Sequence, residues 1–336
     1  MNMNKKAHYS FIIRTLAVFL GLTLLFSIFL TNYSRADETK IRIVTTIFPV
    51  YDWVRQILGD DIEHAEVIML LDSGADLHNF QPTAADILKI KQADVFVYIG
   101  GESDHWVENV LTVAENPARV TINLMEALGE NLREEEIVEG METSKENDHQ
   151  DDDEEEEKEY DEHIWLSLRN AGILVQVIAS KMSEADPGYG DSYIKRAQGY
   201  TEELSKLDAS YEEAVVNGTR KVLLFADRFP FRYLTDDYGL TYYAAFSGCS
   251  AESEASFETV MFLARKIDEL ELPVVLTIEN PRTDLADTVI RSTKSGNQQV
   301  VSLNSMQSIT ADDLESGITY LSVMTQNLDA LKQALK

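Results

Sequence analysis

Ile41-Arg42-Ile43-Val44-Thr45-Thr46 is a short β-branched run, and its recurrence decides the fold. From Lys40 onward such runs alternate with longer amphipathic stretches, the pattern of β-α units around a largely parallel sheet. Candidate strands of a first set are Ile41–Thr46, Ala65–Leu70, Asp94–Ile99 and Arg119–Leu124; a second set is Lys221–Ala226, Leu240–Ala245, Pro273–Ile278 and Gln299–Leu303. Nearly one hundred residues without a strand signal separate the sets. The expectation is an α/β protein of two (β/α)4-type lobes, spanning residues 37–133 and 219–336. Between them, residues 163–218 carry apolar residues at helical spacing over His163–Met182 and Ser192–Val216, broken by Asp186-Pro187-Gly188. The second stretch suits about seven turns at 3.6 residues per turn, long enough for a stiff interlobe connector.

The 336 residues include 29 Lys+Arg against 58 Asp+Glu, a net charge of −29. Phosphate binding needs a basic footprint, so nucleic acid is excluded as the main partner. Residues 134–162 hold 17 Asp or Glu and only Lys145 and Lys158. About half of the total charge therefore sits in one segment that cannot bury apolar surface and reads as a disordered loop. The first 36 residues read as targeting: Lys5, Lys6 and Arg14 precede an uncharged run from Thr15 to Leu30, then Ser34-Arg35-Ala36 offers a cleavage site. At 16 residues the run is short for a span of about 20, so a cleaved signal peptide is favoured over an N-terminal membrane anchor, and the mature chain is expected outside the cytoplasmic membrane. The single cysteine, Cys249, excludes an internal disulfide framework and any Cys-based zinc site. None lies near the cleavage point for lipid attachment.

In open α/β sheets ligands bind beyond the carboxyl ends of the strands. His78, in the loop after the second strand, meets that test, as do Asp227 directly after Lys221–Ala226 and Glu279 directly after Pro273–Ile278. Pro82 suits a first helical position and Thr83 to Asp86 resembles a capping arrangement, which would hold His78 on a rigid turn; the plainer reading is a surface loop histidine. His163 follows Tyr160-Asp161-Glu162, where a carboxylate could occupy the second ring nitrogen and fix the tautomer that binds metal. Asp227 could equally cap a helix or pair with Arg228. Asp284 and Asp287 suggest a solvated helix face, with Asp284 as a reserve ligand. His64 and His105 are assigned to surface or packing, and the aromatic residues around Phe229 to Tyr233 and Tyr242-Tyr243 to core and cleft wall.

The two histidine motifs, with the acidic insert between them, resemble the metal-binding solute receptors of bacterial ABC importers for zinc and manganese, the ZnuA-like group. The resemblance runs from about Lys40 to the C-terminus and includes Ile47-Phe48-Pro49-Val50-Tyr51-Asp52, Gly100-Gly101-Glu102, Phe231-Arg232-Tyr233-Leu234 and Tyr238-Gly239-Leu240. It implies two lobes joined by a long helix, with a divalent cation in the cleft, held by His78, His163, Asp227 and Glu279. Zinc-type members usually carry histidine at the third position, so Asp227 is a departure. With a divalent ion, two imidazoles and two carboxylates have no net charge, which lowers the cost of burial. The set suits Zn²⁺ and also Mn²⁺ or Fe²⁺; zinc is preferred because the His149-bearing loop resembles a metal-gathering loop and because Zn²⁺ binds such donors more tightly than Mn²⁺.

The implied activity is capture of the ion by a monomer and delivery to a membrane permease driven by a cytoplasmic ATPase, with no reaction catalysed. An extracellular metallohydrolase is the alternative, but the sequence has no His-Glu-x-x-His helix and no Gly-x-Ser-x-Gly turn. An adhesin is a third reading, in which His78 would be dispensable.

Overall fold

Short runs of Val, Ile and aromatic residues form the strands, and each strand is followed by a helix that covers a sheet face. The computed structural model describes residues 40–142, 159–250, 255–279 and 284–336. The expected targeting segment and His149 lie outside them. The first sheet consists of β1 (Ile41–Thr45), β2 (Ala65–Met69), β3 (Val95–Tyr98) and β4 (Val120–Asn123), in the order β2-β1-β3-β4 and parallel throughout. Its helices are α1 (Phe48–Leu58), α2 (Ala84–Gln92), α3 (Trp106–Val113) and α4 (Leu124–Leu128). After the acidic segment come α5 (Leu168–Ala185) and the 28-residue α6 (Gly190–Asn217), the latter about 42 Å long at 1.5 Å per residue.

The second lobe repeats the arrangement. Its strands β5 (Val222–Phe229), β6 (Thr241–Ser247), β7 (Val274–Thr277) and β8 (Gln299–Ser302) run parallel in the order β6-β5-β7-β8. The helices are α7 (Arg232–Tyr238), α8 (Phe257–Leu270), α9 (Asp284–Arg291), α10 (Ala311–Glu315) and α11 (Tyr320–Ala334). All eight expected strands form, and the two-lobed parallel α/β expectation holds. The exception in extent is β5, which runs on through Asp227 to Phe229 with a register shift between Phe225 and Arg228. Among the described residues no helix is long and apolar enough to cross a membrane.

Both lobes share one core. Buried Ile43, Trp53, Phe96, Leu174, Tyr211, Phe225, Leu276 and Tyr320 belong to a single apolar cluster, while Leu224, Phe262, Leu263 and Val289 fill the outer layer of the second lobe. The last helix crosses back: its first residue, Tyr320, donates its N–H to buried Asp52 of α1 at 3.0 Å, and its hydroxyl donates to the Trp165 carbonyl. The flanks of the acidic segment are packed as well, Glu134 bridging to Tyr160 and Glu142 to Phe246 of β6.

The loops beyond the strands are stiffened by local polar contacts. Thr83 and Asp86 form the capping box that starts α2. Pro82 lies just ahead of that cap rather than inside the helix. After β3, the Asp104 carboxylate accepts the N–H groups of Ile99 and Gly100 at 2.9 and 3.1 Å. Gly101 has φ 78° and ψ −165°, and a Cβ there would fall 2.6 Å from Glu162 Oε1. That backbone region is open almost only to glycine, at a cost of about 1–3 kcal/mol for other residues. Gly101→Ala is accordingly expected to lower stability by at least about 1 kcal/mol in urea denaturation, and an unchanged midpoint would refute the stated role.

Burial, helped by the negative charge of Glu162, pushes the Asp104 carboxyl up to about 7 despite the hydrogen bonds from Ile99 and Gly100. A folded value above the ordinary 3.8 means that the neutral acid favours the fold. That contribution is complete below about pH 4 and is lost as pH rises through 7. In Asp104→Asn, which keeps an acceptor without the charge, the difference in urea midpoint between pH 4 and pH 8 should shrink. An equal or larger difference in the variant would contradict this.

Candidate metal centre

His78 and His163 meet from positions 85 residues apart. The first stands on a single 3₁₀ turn, Leu77–Asn79, after β2, capped by Asp76, whose Oδ1 accepts the His78 N–H at 3.1 Å. The other side of the Asp76 carboxylate takes the Arg228 guanidinium of β5 at 2.7 Å. Burial works to raise Asp76, but Arg228 outweighs it and holds the carboxyl below its usual value. The first lobe's histidine loop is thereby clasped to the second lobe. His163 comes just before a 3₁₀ turn, Ile164–Leu166, that leads into α5, and it is fully buried.

Both rings are oriented from behind. His163 Nδ1 lies 3.0 Å from Asp161 Oδ1, and the same oxygen accepts the His163 N–H at 2.8 Å. His78 Nδ1 lies 2.7 Å from Ser103 Oγ. With each Nδ1 occupied, the two Nε2 atoms face one another at 3.3 Å. For Zn²⁺–N bonds of about 2.0–2.1 Å in tetrahedral geometry, two ligating nitrogens stand roughly 3.3 Å apart. The amide nitrogen of Gln307, beyond β8, sits 3.0 Å from one Nε2 and 2.6 Å from the other. A donor is therefore aimed at the point where both ring nitrogens converge.

The electrostatics favour one positive charge there and resist a second. Burial, joined by the charge of His163, drives His78 down to about 4. For His163 burial acts in the same direction, but Asp161, followed by Glu162 and Glu135, outweighs it and raises the ring above its ordinary value. A cleft of about 270 Å³ leads to His78, lined by Glu102, Glu135, Glu159 and Glu162 among others. Its acidic walls raise the local concentration of cations.

The two expected carboxylates are placed differently from the histidines. Asp227 lies inside β5, and its oxygens accept the N–H groups of Arg228 and Ile278 at 2.8 and 3.2 Å. It caps backbone at the bulge, and it is Arg228, not Asp227, that reaches the histidine loop. Glu279 follows β7, but its carboxylate accepts from Ser305 N–H and Oγ, both at 2.7 Å, and from Gln307 N–H at 3.3 Å. It thus shapes the loop from which Gln307 extends. Asp284, the reserve, is exposed at the start of α9. His64 pairs with Asp186 and stacks on Tyr189, a packing role as expected.

Among the described residues, one set of three donor side chains converges closely enough to hold an ion: His78, His163 and Cys249, whose ligand atoms all lie within 4.8 Å of one another. The expectation that one cysteine excludes any Cys-based zinc site left such a mixed set out of account, since a thiol needs no second cysteine when imidazoles complete the set. The strand-end rule that found His78 also reaches Cys249, which lies just after β6. Gln307 had no such signal, since its approach depends on the path of the loop after β8.

The chain matches the family model described as "Zinc-uptake complex component A periplasmic" over residues 43–334. The zinc-binding lipoprotein AdcA of Streptococcus pneumoniae is 33% identical over 313 residues, which is 93% of this chain and 59% of that protein. The chain therefore spans well under two thirds of that relative's length. The high-affinity zinc uptake system protein ZnuA of Bacillus subtilis is 29% identical, with 88% of each chain covered. Among solved structures, the Zn(II)-bound ZnuA-like domain of AdcA superposes with a TM-score of 0.68 at 30% identity, covering 88% of this chain and 99% of that one. The metal-dependent lipoprotein YcdH of Bacillus subtilis gives 0.70 at 26% identity with the same coverage. With a match that extends over both lobes and the whole connector, the chain belongs to the ZnuA family.

Proposed function

We propose that this chain is the extracytoplasmic receptor of an ABC importer whose cargo is Zn²⁺. It captures the ion outside the cytoplasmic membrane as a monomer and delivers it to a membrane permease driven by a cytoplasmic ATPase. The observation that carries the reading is the 3.3 Å approach of His78 Nε2 to His163 Nε2, the separation of two nitrogens on one tetrahedral zinc ion. Two relatives named for zinc binding or zinc uptake support the choice of cargo. Glu279 is the acid of the second lobe best placed to approach the ion, because it already organises the loop that carries Gln307.

No catalytic step is assigned. The chain has no His-Glu-x-x-His helix to place a general base beside a metal-bound water. Mn²⁺ or Fe²⁺ remains the second reading, favoured by any ligand set in which carboxylate oxygens dominate.

In calorimetry on chelator-stripped protein, His78→Ala and His163→Ala should each lose at least tenfold in Zn²⁺ affinity, with circular dichroism checking that the fold persists. Undiminished binding by either folded variant would overturn the reading.

A further inference from the structure

We propose that Cys249 supplies a thiolate ligand to the same ion, beside His78, His163 and the approaching Glu279, so that the centre discriminates against harder divalent cations. The inference rests on the receptor reading above and adds the donor that decides selectivity.

The geometry comes from the end of β6. The strand finishes at Ser247 and turns at once, with Ser250 N–H donating to the Ser247 carbonyl at 3.3 Å. Gly248 inside that turn lies against the His163 ring so closely that a Cβ would stand 2.7 Å from its Cε1 and 3.1 Å from its Nδ1. The absence of a side chain at this residue lets the next one, Cys249, reach the two imidazoles. The thiol also lines the acidic cleft beside His78 and Glu162, so an arriving cation meets it on the way in.

A second observation at the same place points to a missing positive charge. Glu162 is 1% exposed, and its Oε2 has no hydrogen-bond partner. That oxygen lies 3.8 Å from His78 Nδ1. A divalent ion on the far side of the two rings would polarise the His163 Nδ1–H toward Asp161 and the His78 Nδ1–H toward Ser103, and would bring a compensating positive charge near the unpaired Glu162 oxygen.

The coordination step balances simply. The ion binds the sulfur as the S–H proton leaves, and the acidic cleft conducts that proton to solvent. Two neutral imidazoles, one thiolate and the Glu279 carboxylate leave no net charge on a Zn²⁺ centre, which lowers the cost of burying it. Thiolate donors favour Zn²⁺ over Mn²⁺ beyond the ordinary difference in affinity, because sulfur is the softer ligand.

X-ray absorption at the zinc edge of the full chain loaded with one equivalent of Zn²⁺ tests this. A sulfur shell at about 2.3 Å is expected, absent from Cys249→Ser, whose Zn²⁺ preference over Mn²⁺ in competition should fall at least tenfold. Cobalt loading should give a thiolate-to-metal charge-transfer band in the wild-type chain and none in that variant. Tight zinc binding by the wild-type chain with only nitrogen and oxygen neighbours would overturn the cysteine assignment and leave the receptor reading intact. Failure of the wild-type chain to bind zinc at all would overturn both.

Discussion

Two imidazole nitrogens directed at each other across 3.3 Å form an arrangement that needs a shared donor or cation between them, the place the Gln307 amide takes here. Much of the surrounding structure serves to impose it. Asp161 fixes one ring, Ser103 the other, and Ser103 in turn is held through its N–H by Glu162 Oε1 at 2.7 Å. Glu162 fits only because Gly101 leaves its carboxylate room. The chain of dependence thus runs from a glycine at the end of β3, through a buried acid, to the direction in which His78 presents its free nitrogen.

The same contacts limit how the protein can open. A wide separation of the lobes would break the Arg228–Asp76 pair, the hydrogen bond from the Trp165 indole to the Ser305 carbonyl, and the bond from Tyr320 to Asp52. It would also expose apolar side chains from both lobes that share one core, at about 25 cal/mol for each Å² returned to water. Rearrangement is far cheaper in the loops beyond the strands: the turn at Ser247–Ser250 and the stretch from Ser305 to Gln307. Gln307 stands at the convergence point of the ring nitrogens, so exchange between its amide and an ion alters the loop that Glu279 anchors.

The fold was legible because parallel strands buried on both faces are written as unbroken β-branched runs, and the eight such runs became the eight strands. The histidines were legible for a different reason: each belongs to a motif with its own turn or carboxylate partner. The two acids were chosen from strand-end position alone, a rule that says nothing of where their oxygens turn. Asp227 does stand near the carboxyl end of β5, but the strand continues past it, and the bulge turns its oxygens onto backbone N–H groups. Arg228, its neighbour, takes the interlobe role through a salt bridge spanning 152 residues of sequence. Periodicity does not reveal a bulge, so one residue's displacement was enough to exchange the roles.

Carboxylates need not touch an ion to make its burial possible. Moving a divalent cation into a site against Trp165 of the shared core is costly unless negative charge lies close by. Here Asp161 and Glu162 are both buried behind the rings, Asp161 at 3.0 Å from His163 Nδ1 and Glu162 at 3.8 Å from His78 Nδ1, where their charge favours a cation at Nε2. Burial raises the carboxyl of Glu162 against the hydrogen bonds from Ser103 and the charge of His163. In the proposed receptor, the acids of the cleft draw the cation inward and those behind the rings favour its staying.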